Sequence, residues 1–108
     1  MRRYISNYII LPDASVLHNH IVSIDDGRMV GLHQFSGELA YTIYVPNPIL
    51  IIPEVNSYIV DNLFESSADL LEFCDLLSHC SLSQNIEHGD SVIALELDFH
   101  QHYFSKLG

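Results

Sequence analysis

Two pairs of histidines have the spacing of metal ligands on a strand: His18 with His20, and His100 with His102. Side chains two residues apart in an extended strand point to the same face, so either pair could bind a divalent cation. Asp98 extends the second pair to one oxygen and two nitrogens, a set that zinc, nickel or iron accepts. A metal-binding protein would use Asp98, His100 and His102, joined by His18 or His20. Two ligands alone make a weak site, and the more common role of such residues is as exposed histidines at strand ends, so we expect no bound metal.

The other residue types that could do chemistry are not arranged for it. No serine lies in a Gly-x-Ser-x-Gly turn, and the five glycines never form a phosphate-binding loop. Cys74 and Cys80 are the two cysteines, and both lack the cationic neighbours that activate a thiol. We interpret them as reduced, buried small hydrophobic residues. The sequence therefore predicts no catalytic residue, no cofactor and no enzymatic activity.

The charge balance excludes two classes of partner. Four basic residues oppose fourteen acidic ones, and in residues 30–108 Lys106 alone opposes eleven acids, which gives a formal net charge of −10. Such a field repels nucleic-acid phosphates and anionic membrane surfaces. The longest uncharged apolar run, Pro48–Pro53 with its two bounding prolines, is far shorter than a membrane span. With no signal-peptide pattern, we expect a cytoplasmic protein that binds neither nucleic acid nor membrane.

Apolar patterning predicts one mainly β domain over residues 1–108. We expect strands at 3–11, 21–24, 28–33, 39–45, 49–52 and 91–99. The Asp25–Arg28 segment is typical of a hairpin turn, with Gly27 at positive φ. Along the last strand, one wholly apolar face (Ile93, Leu95, Leu97 and Phe99) is expected to form the core.

One helix interrupts the β pattern, at residues 66–79. Ser66 or Ser67 is expected to cap it, and Leu70, Leu71, Cys74 and Leu77 to form its apolar face. Three aromatic residues outside this helix, Phe35, Tyr41 and Tyr44, could form a patch. Packing in the core or on the sheet is the more frequent role of such side chains.

Three segments, taken in order, resemble the β-domain of the amidohydrolase superfamily of metal-dependent hydrolases. Residues 4–12 followed by 20–32 are similar to the family's opening strands, which end in Asp-Gly-Arg-Ile-Val. Residues 50–57 are similar to the Leu-Val-Pro-Gly-x-Val-Asn segment that enters the catalytic barrel. Residues 82–98 are similar to the closing segment that returns from it. The resemblance covers about two-thirds of the chain.

The sequence departs from this family at the metal site. Tyr58 and Val60 stand where the family has its His-x-His ligands, and neither side chain replaces an imidazole on zinc. Only 26 residues separate Asn56 from Ser83, whereas a TIM barrel needs about 250. The resemblance therefore implies the composite β-domain of such a hydrolase without its barrel.

This resemblance implies a fold and a function. We expect a small β-sandwich or open barrel with one short helix, in which the N- and C-terminal segments lie side by side in one sheet. We also expect a non-catalytic interaction or regulatory module. Losing the barrel would expose apolar surface, which a homodimer or another protein partner would cover. The alternatives are a small metal-binding protein and an accessory subunit that completes the active site of a separate hydrolase.

Overall fold

Seven strands, a 3₁₀ helix and two α-helices form the described part of the chain, residues 1–37, 41–80, 82 and 86–107 of a computed structural model. The strands are β1 (Arg2–Ile10), β2 (Val16–Asp25), β3 (Arg28–Gln34), β4 (Thr42–Tyr44), β5 (Ile49–Pro53), β6 (Val92–Asp98) and β7 (Tyr103–Lys106). The 3₁₀ helix Glu54–Ile59 leads into α1 (Val60–Glu65), and α2 is Leu70–Ser78. The predicted mainly β class is confirmed. No helix in the described ranges is long and apolar enough to cross a membrane.

All seven strands belong to one sheet with the order β3-β2-β1-β5-β6-β7. β1 carries two parallel neighbours on one edge, because β4 pairs with its first half and β5 with its last two residues. The N- and C-terminal segments share the sheet as expected: β5 separates β1 from β6, but the start of β3 lies beside the start of β6.

The sheet curls until its edge strand β3 meets the start of β6. Arg28, at the beginning of β3, forms an isolated bridge with Ser91, and the Met29 amide donates to the Asp90 carbonyl at 3.0 Å. The Val92 amide donates to the Gly27 carbonyl at 2.9 Å. These contacts close the curved sheet at one end, which gives the open-barrel form expected for the fold.

Two hydrophobic clusters lie on opposite faces of this sheet. The inner core consists of Tyr4, Ile9, Val22, Met29, Val45, Ile49, Ile51, Val92 and Ala94. The outer core consists of Ile10, Leu50, Ile52, Val60, Phe64, Phe73, Leu77, Leu95 and Leu97. α1 and α2 contribute only to the outer core.

Strands β5 and β6 are buried on both faces. The expectation of one core face on β6 is therefore incomplete, since Val92 and Ala94 are also buried, at 4% and 3% exposed. Their side chains enter the inner core, and Leu95 and Leu97 enter the outer one. A central strand between two layers needs apolar residues at every position, which explains the unbroken run Ile49–Ile52.

The hairpin between β2 and β3 forms as predicted. Asp26 and Gly27 have φ angles of 50° and 74°, so both central residues of the turn lie in the left-handed region that closes a tight hairpin. β2 is longer than expected and begins at Val16. The predicted strand 39–45 is shorter, spanning Thr42–Tyr44, and its first two residues lie outside the described ranges.

The helical region differs from the prediction in its start and in its extent. α2 begins at Leu70, where the Asp69 side chain accepts a 2.9 Å hydrogen bond from the Glu72 amide. The Ser67 hydroxyl is turned the other way and donates to backbone carbonyls of α1, so neither Ser66 nor Ser67 caps α2. On α2, Phe73 and Leu77 are buried, while Leu71 is 82% exposed. The helical residues 54–65 and strand β7 were not predicted.

Candidate functional site

The Asp98, His100 and His102 set lies at the hairpin between β6 and β7 and not on an extended strand. Asp98 is the last residue of β6, and its carboxylate accepts a 3.0 Å hydrogen bond from the Gln101 amide, which shapes the turn. His102 has a φ of 59°, and its ring stacks on Phe64 with the centroids 4.9 Å apart. The ligand set was predicted on the assumption of an extended strand, and that assumption is wrong for His100 and His102.

The other pair, His18 and His20, lies within β2, but the strand is irregular between them. Asn19 has a φ of 54°, which departs from extended backbone. The His18 ring packs edge-on against Tyr8 with centroids 5.2 Å apart, and the His20 Nδ1 lies 2.8 Å from the His18 carbonyl oxygen. Both rings already have local contacts within the hairpin.

The two histidine regions do not combine into a metal site. Among the residues that the structure describes, no three His, Cys, Asp or Glu side chains are placed to hold one metal ion. The set of Asp98, His100 and His102 with His18 or His20 is thus not assembled. The expectation that the chain binds no metal stays a prediction.

Burial of the cysteines is partial. Cys74 and Cys80 are free thiols of intermediate exposure, so the interpretation of both as buried residues holds only in part. Burial raises the pKa of the Cys74 thiol. The Cys80 Sγ lies 3.4 Å from the Leu76 carbonyl oxygen, one turn earlier. A raised pKa disfavours the reactive thiolate at Cys74.

A pocket of about 350 Å³ lies at the end of the curved sheet where the β2–β3 turn meets the start of β6. It lies between the start of β1, the β2–β3 turn, the start of β6 and the end of β7. The apolar part of its lining consists of Tyr4, Ile24, Val92, Ala94 and Leu107. The pocket is therefore the open mouth of the inner core.

Charged side chains surround this mouth. Arg2 and Lys106 line it, as do Asp25 and Asp26. The Met1 amino group lies 3.3 Å from a carboxylate oxygen of Asp25. Within the described part of the chain, the side chains of Arg2 and Lys106 make no ion pair or hydrogen bond. Two of the four strongly basic residues thus meet, without partners, at one site.

The Tyr4 hydroxyl is the polar group buried in the lining. Tyr4 is 2% exposed, and its hydroxyl has no hydrogen-bond partner among the described residues. An unsatisfied buried hydroxyl costs about 1–3 kcal/mol. A ligand with an acceptor atom would offset that cost.

A second feature is an exposed apolar surface beside β1. Tyr41, Ile43 and Tyr44, which we call the β4 surface, are 95%, 47% and 59% exposed. Residues 39–53 include no charged side chain. Phe35 is half-buried, so the expectation of core packing holds in part for Phe35 and is wrong for Tyr41 and Tyr44.

The sequence reasoning did not find the pocket. Arg2 and Tyr4 are near the start of the chain, and Lys106 is near its end. Only the curvature of the sheet brings them together, and no local motif records it. The one signal in the sequence is the scarcity of basic residues: the chain has four, and Arg2 and Lys106 are two of them.

No protein-family model, curated protein or solved structure matches this chain. The resemblance to the amidohydrolase β-domain thus rests on the three sequence segments.

Proposed function

We propose that this chain is a non-catalytic interaction module, a β-domain of amidohydrolase type without its barrel, that forms a homodimer through the β4 surface. The observation that carries the proposal is the exposure of three large apolar side chains, Ile43 and Tyr44 on β4 and Tyr41 just before it. Aromatic residues are enriched at protein interfaces, and grouped exposed apolar side chains mark contact surfaces.

The distribution of charge supports a second copy as the occupant. Each copy carries a formal charge of −10, so two copies repel each other over most of their surface. The β4 surface lies in the stretch 39–53 that has no charged residue. Two copies can therefore approach there with little repulsion while they bury apolar side chains.

The resemblance supports the same proposal from another direction. The β-domain of an amidohydrolase packs against a catalytic barrel. In this chain the residues between the second and third similar segments include the two short helices α1 and α2, which pack on the outer core. A domain that lacks the barrel has surface for a different protein contact.

Sedimentation velocity of the full chain at tens of micromolar tests the proposal. We expect the wild type to be a dimer and Tyr44→Asp to be a monomer, because the variant places a charge in the apolar contact. Tyr103→Asp is the matched control, since Tyr103 on β7 is 54% exposed. It should remain dimeric. Raising the salt concentration should strengthen the wild-type dimer by screening the repulsion.

A wild type that stays monomeric at these concentrations would contradict the homodimer. A dimer that survives Tyr44→Asp would place the contact elsewhere and overturn the role of the β4 surface.

A further inference from the structure

We infer that the pocket at the mouth of the inner core binds a small organic monocarboxylate with an apolar body. This binding site is distinct from the β4 surface and does not depend on the homodimer. Its argument has three steps: the apolar lining, the unpaired cations and the buried hydroxyl.

The lining determines the apolar body of the ligand. Val92 and Ala94 from β6 line the pocket with Ile24 and Leu107, and all four belong to or pack against the inner core. A volume of about 350 Å³ lies at the lower end of the range of small-molecule sites. A single ring with a short chain suits this space.

The cations determine the charged group. Arg2 and Lys106 line the pocket without ion-pair partners in the described ranges, although the chain has fourteen acids. A carboxylate can accept charge-assisted hydrogen bonds from both side chains. Asp26 lines the same pocket and repels additional negative charge, so one carboxylate fits better than a phosphate or a dicarboxylate.

The buried hydroxyl adds a directional contact. The Tyr4 hydroxyl can donate a hydrogen bond, and the described residues supply no acceptor for it. Tyr4 also lines the pocket. A carboxylate held by Arg2 and Lys106 would also supply the acceptor that the Tyr4 hydroxyl lacks.

Calorimetry with the untagged chain of residues 1–108 tests the ligand class, because Met1 and Leu107 line the pocket and a tag next to either would disturb it. The probes are 3-phenylpropionate and phenethylamine, which share a ring and a short chain but have opposite charges. We expect 3-phenylpropionate to bind with a Kd below about 1 mM and phenethylamine to bind at least about tenfold more weakly. Equal binding of the two, tighter binding of the amine, or no binding of the carboxylate would overturn the inference.

Three variants test the residues. Arg2→Gln combined with Lys106→Gln should weaken 3-phenylpropionate binding by at least about tenfold. Arg3→Gln is the charge-matched control: Arg3 is the next residue of β1 and does not line the pocket, so its loss should change the Kd less than about twofold. If the double variant binds like the wild type, the cations do not form the site.

Tyr4→Phe separates binding from folding. Removing an unsatisfied buried hydroxyl should leave the free energy of unfolding unchanged or higher, while 3-phenylpropionate binding weakens by about threefold to tenfold. A variant that is less stable and binds equally well would show that the hydroxyl has a structural partner and no role in the site.

Discussion

The inner and outer cores share β5 and β6, but they are closed in different ways. Neighbouring residues of one strand serve both: Ile51 enters the inner core and Ile52 the outer one. Curvature of the sheet encloses the inner core and leaves a pocket at one end. The outer core is covered by α1 and α2, and aromatic rings fill the contact.

This difference separates the pocket that we propose as a ligand site from the helices that cover the outer core. A core enclosed by strands alone keeps an open end, where charged side chains from distant parts of the chain meet. The outer core depends on two short helices, α1 and α2, for its cover. The predictions below separate the two cores, in order of decreasing effect.

The largest effect is expected where α2 covers the outer core. Phe73 is fully buried and packs against Phe64 and Phe99, with ring centroids 6.4 and 6.0 Å away. Phe73→Ala should lower the free energy of unfolding by about 3–5 kcal/mol, measured by urea denaturation. Leu71→Ala, on the same helix but 82% exposed, is the control and should change it by less than about 0.5 kcal/mol. Similar losses in both variants would show that α2 does not seal this core.

An intermediate effect is expected at the turn beside the inner core. Gly27 lines the pocket with a φ of 74°, and no heavy atom would lie within 4 Å of an added Cβ. Gly27→Ala should therefore cost about 1–2 kcal/mol through backbone strain alone. Gly27→Asn should cost less in the same urea titration, because asparagine tolerates this conformation better. Equal costs for alanine and asparagine would argue against the left-handed turn.

The smallest effect is expected at the turn that leads Ala14 and Val16 to the outer core. The Ser15 hydroxyl and the Ser15 amide both donate hydrogen bonds to the Asp13 carboxylate. The bond from the hydroxyl has the larger effect, and together they lower the pKa of the Asp13 carboxyl below 3.8. Its contribution to stability is present above pH 3.8 and is lost as the pH falls through the lowered value. Ser15→Ala should raise the Asp13 pKa, measured by NMR titration of the carboxyl carbon. An unchanged pKa would contradict the hydroxyl as the main cause.

Local features were predictable from the sequence, and features that depend on distant contacts were not. The turn at Asp26 and Gly27 was predicted because two adjacent residues specify it. The helical stretch through α1 was missed although Val60 and Phe64, four residues apart, had the spacing of a buried helix face.

The second buried face of β6 could not be inferred from alternation. Val92 and Ala94 alternate with Ile93 and Leu95, so the strand is apolar throughout its first half, and only Glu96 and Asp98 indicated a polar face. Which layer covers each face is decided by the curl of the sheet. The same curl unites Arg2, Tyr4 and Lys106, which explains why the pocket has no sequence motif.

The position of β5 has a consequence for the newly made chain. Its partners are β1, far earlier in the sequence, and β6, far later, so one edge of the apolar run Ile49–Ile52 stays unpaired until Val92–Asp98 is available. Contacts of such long range form slowly. A β-branched run of this kind is prone to aggregate, and prolines at both ends restrict the strand pairing that would extend it. Pro48 and Pro53 thus protect the segment during folding as well as bounding a strand in the finished molecule.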